Sequence, residues 1–401
     1  LNAPARVDAA DLETAVLVYT ESLGQLNAYE STTRLRHGLG GEKIFTADLV
    51  VDILTGASPN GATPSTQPQT FTRPSGQGSY TIDPGEPPLD NTFQDNRVGI
   101  DVGLELPLSR LTLVSIGAHG SVEYDYVSIG LNGSVSRDFN KRNTRLRAGF
   151  SFSQDYLDPE GGPPVPFAPM LPPGVTPNRQ SDSKEKTVID AVFGVDQVLS
   201  RRVLARLNYS LSTSNGYLTD PFKMLSAVSG APGPFQGEPV EYVYENRPDS
   251  RLKQSVYGAL KYHVQRGVID ASYRYMWDDW AIVSHTVDLR YGWELSDRRT
   301  LEPQVRLYHQ AAASFYRHSL VYGEPFPEFA TADYRLGEFN AVTVALRYSV
   351  RSNGNRVNLR FGYYVQMGDR SPPDAIGVQR SLDLFPTVHS LIFQVSYGLS
   401  W

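Results

Sequence analysis

The sequence predicts an all-β fold, a single transmembrane antiparallel up-and-down β-barrel of about sixteen strands. Three observations predict it. The chain ends on a strictly alternating segment in which Leu391, Phe393, Val395, Tyr397, Leu399 and Trp401 share one face and Ile392, Gln394, Ser396, Gly398 and Ser400 the other. Successive side chains of a strand point to opposite sides, so this segment has one apolar face and one mostly polar face. The same alternation recurs along nearly the whole chain. Between the alternating segments, short polar turns fall at one end and long segments at the other, the asymmetry of a barrel threaded through a membrane.

The elements follow in order. A weak first strand near 12–21 precedes strands near 24–38 and 42–55, the latter two joined by a Gly-rich turn at 38–41. Strands near 97–107, 110–124, 125–139 and 142–156 come next, with short turns at 107–110 and 139–142. Strands near 184–199 and 201–216 flank a turn at 200–202, and a strand near 251–266 turns at 265–267. There Ile269, Ala271, Tyr273, Tyr275 and Trp277 oppose Asp270, Ser272, Arg274 and Met276. Strands near 282–296 and 299–315 meet at 296–299. Val342, Val344, Leu346, Tyr348 and Val350 then alternate with polar residues, as do Val357, Leu359, Phe361, Tyr363, Val365 and Met367 after a turn at 352–355. Long segments remain near 56–96, 157–183, 217–250, 316–334 and 369–387, all at the end away from Trp401. With Trp401 periplasmic, these are extracellular loops. Residues 1–11 read as a periplasmic tail or plug segment and 12–401 as the barrel. Val395, Tyr397, Leu399 and Trp401 form the terminal pattern expected to be read by the barrel-assembly machinery.

Composition agrees with this reading. No stretch of the 401 residues approaches the roughly 20 apolar residues of a membrane helix. Mean hydropathy is −0.33, which a barrel tolerates because half of each strand is polar. The 23 Tyr and 17 Phe against 4 Met suit sheets and interfacial belts. Cysteine is absent, which removes disulfides, thiolate chemistry, cysteine-held metals and covalent haem. The chain opens at Leu1 and reads as a processed form. A net charge of −6 argues against a nucleic-acid partner.

The polar faces carry both signs of charge. Arg34, Arg36, Arg145, Arg147, Arg206, Lys261, Arg274, Arg290, Arg306, Arg347 and Arg360 are accompanied by Asp48, Asp101, Glu105, Asp190, Asp270, Asp288 and Glu302. They read as lumen-lining residues paired across adjacent strands. The segment near 56–96 opens on a run, 54–76, that is polar, rich in Pro and Gly and nearly free of charge, and its length suits a lid, plug or binding loop. Asp52, Asp90 and Asp95 near its base are weak candidates to hold Ca²⁺ through oxygen ligands, without EF-hand spacing. No other cofactor is expected.

Catalysis has no positive support. Asp278, Asp279 and His285 approach the outer rim, but the Asp-Asp-Trp run suits a tight turn and His285 falls on the apolar face. Ser284 and His285 are neighbours in a strand and point to opposite sides, so they cannot act as nucleophile and base. Walker, zinc-protease and dinucleotide motifs are missing.

Several runs carry a family resemblance: LTGASPNGA at 54–62, QTFTRPSG at 69–76, PLDNTFQDNR at 88–97, EYDYVSIGLN at 123–132, RDFNKRNT at 137–144, DDWAIVSHT at 278–286, RLYHQAAASFY at 306–316 and DYRLGEFNAVT at 333–343. Over nearly its whole length the chain resembles the domain-of-unknown-function 3570 family. The resemblance implies a bacterial outer-membrane barrel with unsettled biochemistry and a link to extracytoplasmic redox or metal handling, without identifying a functional residue. All of these runs but RDFNKRNT cluster at the extracellular mouth. There Tyr124, Tyr126, Trp277, Trp280, Phe315, Tyr316 and Tyr334 are expected to form an outer aromatic girdle, with ligand stacking as the alternative. The expected function is a porin-like channel or transporter for a small solute with a loop-gated or plugged lumen. The alternative is a non-conducting scaffold that holds a surface or periplasmic partner. Outer-membrane lipid and lipopolysaccharide would surround it.

Overall fold

The computed structural model describes residues 10–22, 26–73, 76–175, 179–181 and 183–401. The expected periplasmic tail falls mostly on residues 1–9, which lie outside the described residues. Sixteen antiparallel strands form one closed barrel. They are β1 (Ala10–Glu21), β2 (Leu26–Gly38), β3 (Ile44–Gly56), β4 (Gln94–Ser109), β5 (Thr112–Val122), β6 (Tyr126–Phe139), β7 (Thr144–Leu157) and β8 (Lys184–Ser200). The second half comprises β9 (Val203–Gly216), β10 (Ser250–Val264), β11 (Gly267–Asp278), β12 (Val283–Ser296), β13 (Arg299–Gln310), β14 (Phe339–Ser352), β15 (Asn355–Gly368) and β16 (Val388–Ser400).

The weak first strand is the one that closes the ring. β1 pairs with β16 from Asp11↔Ser400 to Glu21↔Ser390, and Ala10 and Trp401 exchange backbone hydrogen bonds of 2.9 and 3.0 Å. Closure leaves no sheet edge with unpaired backbone groups. Large apolar side chains on the outer face stay uncovered, including Leu131, Phe150, Phe193, Phe361 and Phe393. A surface so apolar all round the wall has to be covered by something other than water.

Seven short turns lie at the end that carries Trp401. The turn after β2 places Gly40, Gly41 and Glu42 at positive φ, which glycine accepts without strain. Five long loops lie at the opposite end: 57–93, 158–183, 217–249, 311–338 and 369–387. One boundary differs from the sequence reading. The strand expected over 299–315 leaves the wall at Gln310, whose side-chain amide donates to the carbonyls of Arg335 and Gly337. Ala313 and Ser314 then bond to Leu336 and Trp280. The apolar run at 311–315 belongs to a loop core, where strand parity no longer applies.

Candidate functional site

Along the lumen face, charges on neighbouring strands meet at the same register. Arg34 pairs with Asp48 at 2.6 Å, Arg145 with Asp138 at 2.6 Å, Lys261 with Asp270 at 2.9 Å and Arg347 with Glu302 at 2.7 Å. Arg147 and Arg206 share Asp196, and Arg36 reaches Glu105 at 3.5 Å. His119 lies 2.9 Å from Asp101, while Asp190 accepts from Ser151 at 2.9 Å. Asp288 holds Arg290 at 2.8 Å, Arg274 lies over the Tyr257 ring, and Arg360 donates to Gln304 at 3.2 Å. Arg306 makes no ion pair or hydrogen bond among the described residues. Most of these pairs stand in an open lumen, where each contributes about 0–1 kcal/mol. They set the electrostatic lining of the barrel more than its stability.

The long loops do not hang free. β3–β4 and β9–β10 are six strands apart around the ring, so contact between their loops has to cross the mouth. Met224 N donates to Asn60 O at 2.8 Å, Thr63 N to Ser226 Oγ at 3.0 Å and Ser65 Oγ to Glu238 at 2.6 Å. Loop 158–183 adds Met170 N to Tyr242 O at 2.8 Å, and loop 369–387 adds Val378 N to Gln236 O at 2.8 Å. Within the cap, Met224–Val228 pairs with Pro239–Tyr244 and runs parallel to Leu320–Val321. Leu225, Ala227, Val243, Leu320, Ala330 and Ala332 form its main apolar core. The loops thus constitute a packed lid with its own sheet and core.

A charge cluster joins loops 217–249 and 311–338, buried at Glu245, Arg247 and Asp333 and open to the cavity at Arg335. Arg247 lies 2.6 Å from Glu245 and 2.9 Å from Asp333, and Arg335 bridges Asp333 at 2.5 Å and Asp220 at 2.7 Å. Thr331 Oγ1 donates to Glu245 and the Asp220 amide to its other oxygen. Burial pushes the Glu245 carboxyl up. Burial also acts against ionised Asp333, but Arg335 and Arg247 outweigh it and hold this carboxyl well below the usual range. In the turn between β5 and β6, burial and then Asp95 push the Glu123 carboxyl up to about 7.

Beneath the lid lies a cavity of about 1660 Å³, lined by loop residues such as Asn60, Asp220, Lys223 and Asp333 and by wall residues such as Arg306, Gln304, Arg360 and Gln394. A second cavity of about 900 Å³ occupies the short-turn end, and Glu13 lines both.

The expected girdle needs correction. Tyr124 is 77% exposed in its turn, and Trp277 is on the outer face stacked on Tyr275. Tyr126 instead points into the lumen and donates to Asp155 at 2.5 Å. Trp280 is only 4% exposed, packed edge-on against Phe315 with its indole N–H on Ser250 O and Arg251 over its ring. Tyr316 and Tyr334 belong to the lid, the latter against Phe385. Strand parity predicted none of these inward turns because Trp280, Phe315, Tyr316 and Tyr334 lie outside regular strands, while Tyr126 starts one. The sequence reading missed an outer-face band in which Tyr273 meets His285 at 2.7 Å, His309 meets Asn340 at 3.0 Å and Tyr363 meets His389 at 2.8 Å. The outward parity of Tyr273, His285 and Tyr363 was its signal.

The candidate Ca²⁺ ligands do not converge either. Asp52 is paired with Arg97 at 2.5 Å, and Asp90 accepts from Thr92. Among the described residues no three His, Asp or Glu side chains gather around one metal position. Asp278 caps its own turn, accepting from the amides of Trp280 and Ile282. Val395, Tyr397, Leu399 and Trp401 occupy the outer face of the closing strand, with Trp401 65% exposed.

These features define a protein class: a closed sixteen-stranded barrel of the outer-membrane type whose mouth is covered by its own loops. The chain belongs to the DUF3570 family, described as a protein of unknown function, which it matches over residues 2–399. Comparison with curated proteins finds no match. Similar solved structures include the ferric enterobactin receptor PfeA from Pseudomonas aeruginosa, at 10% identity and a TM-score of 0.44, over 90% of this chain and 54% of the receptor. The siderophore receptor PirA from Acinetobacter baumannii aligns at 10% identity and a TM-score of 0.44, over 89% of this chain and 53% of that one. A bacterial polysaccharide outer membrane secretin aligns at 11% identity and a TM-score of 0.48, over 99% of both chains. The chain spans just over half the length of the two receptors.

Proposed function

We propose that the protein is a bacterial outer-membrane barrel that admits a small polar solute to its lumen, with the interlocked long loops as the gate. The cavity of about 1660 Å³ under the lid carries this reading, because its lining joins lid residues to the charged wall. In this orientation the short turns and Trp401 are periplasmic, the apolar outer face meets lipid, the rim meets lipopolysaccharide, and the last strand addresses the assembly machinery. No catalytic role is proposed. Planar-bilayer recording tests the idea: the intact barrel is expected to conduct weakly, and removal of residues 64–87 to raise conductance. Conductance that stays blocked after that deletion would count against a gated channel.

A second reading has a specific observation in its favour. The lid exposes Phe235, Val240, Tyr322 and Phe326, apolar side chains suited to a surface protein partner. On this reading the barrel is a scaffold, and stoichiometric co-purification with that partner from native membranes is the expected result.

A further inference from the structure

The charges around the lidded cavity are not evenly mixed. On the arc β12–β15, Arg290, Arg306, Arg347 and Arg360 line it, with Glu302 as the carboxylate of that arc and Glu13 and Glu21 on β1 two strands beyond it. Across the ring, at the mouth end of β4 and in the connections of β3–β4, β5–β6 and β7–β8, the lining includes Asp90, Asp95, Asp125 and Glu160, with Arg73 as the cation among them. In a ring of sixteen strands these two arcs stand opposite each other. An anion entering the cavity is repelled from one side and drawn to the other.

Two of the four arginines are already neutralised, Arg290 by Asp288 and Arg347 by Glu302. Arg360 reaches over β14 to Gln304, a neutral acceptor two positions from Arg306 on the same face. Arg306 itself is exposed to the cavity and makes no ion pair among the described residues; Asp288, opposite it on β12, is taken up by Arg290 and by the Gln304 amide. A guanidinium offers a planar fork of donors matched to the oxygens of a carboxylate or phosphate. Gln394 and the Tyr308 and Tyr364 rings line the same part of the cavity and add groups for hydroxyls.

We infer that Arg306 and Arg360 form an anion subsite in the lumen, taking a small hydroxylated solute that carries a carboxylate or a phosphate. The inference rests on the cavity being open to solute, and it names the chemistry of the solute that the proposed channel admits. Calorimetric titration of the full-length barrel in detergent tests it, with gluconate, glucose 6-phosphate and glucose as probes. At least one of the two anions is expected to bind about tenfold more tightly than glucose, and which one does so distinguishes carboxylate from phosphate. Arg306→Gln and Arg360→Gln are each expected to weaken that anion about tenfold, whereas Lys141→Gln, on a short turn, leaves it unchanged. Because Arg306 holds no other side chain, its variant should keep the strand content seen by circular dichroism. Equal affinity for anion and glucose, or anion binding that survives both arginine substitutions, would overturn the subsite. Glucose flux into proteoliposomes reads the channel separately. Arginine-dependent binding without flux would sink the channel and leave the subsite standing, and flux without such binding would do the reverse.

Discussion

The barrel wall and the lid are built from the same chain by opposite means. The wall is periodic, and each strand finds its neighbours through backbone ladders that depend little on which polar residue faces the lumen. Most of its ion pairs are water-exposed and individually weak. The lid is aperiodic, and its loops meet through contacts between residues far apart in sequence, around buried apolar clusters and a buried set of charges. Losing one partner there strands a charge away from water, which is far more costly than losing a pair in the lumen. The difference suggests that the wall tolerates substitution while the lid is the part that single changes can open.

Asp333→Ala gives the sharpest test of this contrast. It takes one of two carboxylate partners from each of Arg247 and Arg335, leaving Glu245 and Asp220, and about 1–3 kcal/mol of lid stability should be lost. Faster proteolysis of loops 217–249 and 311–338, with the barrel still folded, is the expected readout. The wild-type lid should show the matching acid dependence. Since the folded pKa of Asp333 lies below its ordinary 3.8, its contribution is complete above that value and is lost as pH falls through the folded pKa. The lid should therefore loosen in strong acid, and the Ala variant should lack that component.

Gly377→Val attacks the lid through its backbone. Gly377 has φ of 51°, and an added Cβ would come within 1.9 Å of Gln236 O. Strain of about 1–3 kcal/mol from the backbone conformation adds to the clash, so loop 369–387 should separate from loop 217–249 and conductance should rise. Unchanged protease resistance in this variant would show that the loops are held elsewhere.

A smaller effect is expected at the rim. With its carboxyl pushed up to about 7, Glu123 gains its charge near neutrality, next to Asp95 and Asp125. Cation preference in bilayer recordings should rise over roughly pH 6 to 8, and Glu123→Gln should flatten that step. The smallest effect belongs to the wall: Arg34→Gln removes an exposed pair and should change stability by less than about 1 kcal/mol in urea unfolding. A large loss there would erase the distinction between wall and lid.

The alternation of residues such as Leu391 to Trp401 determined the sixteen strands, their inward and outward faces and the end at which the long loops emerge, because a period of two is a local property of a strand. It also placed the lumen charges on the polar face, from Arg34 on β2 to Arg360 on β15. What Trp280, Phe315 and Tyr334 do was not legible, since a side chain outside a strand has no face until other loops arrive. The same holds for Asp220, Glu245, Arg247, Asp333 and Arg335, whose loops close from different sides of the mouth. Only the tertiary structure decided that these loops interlock as a lid over the lumen, because burial and pairing there depend on contacts between residues from 25 to 173 positions apart, a distance over which sequence period carries no information.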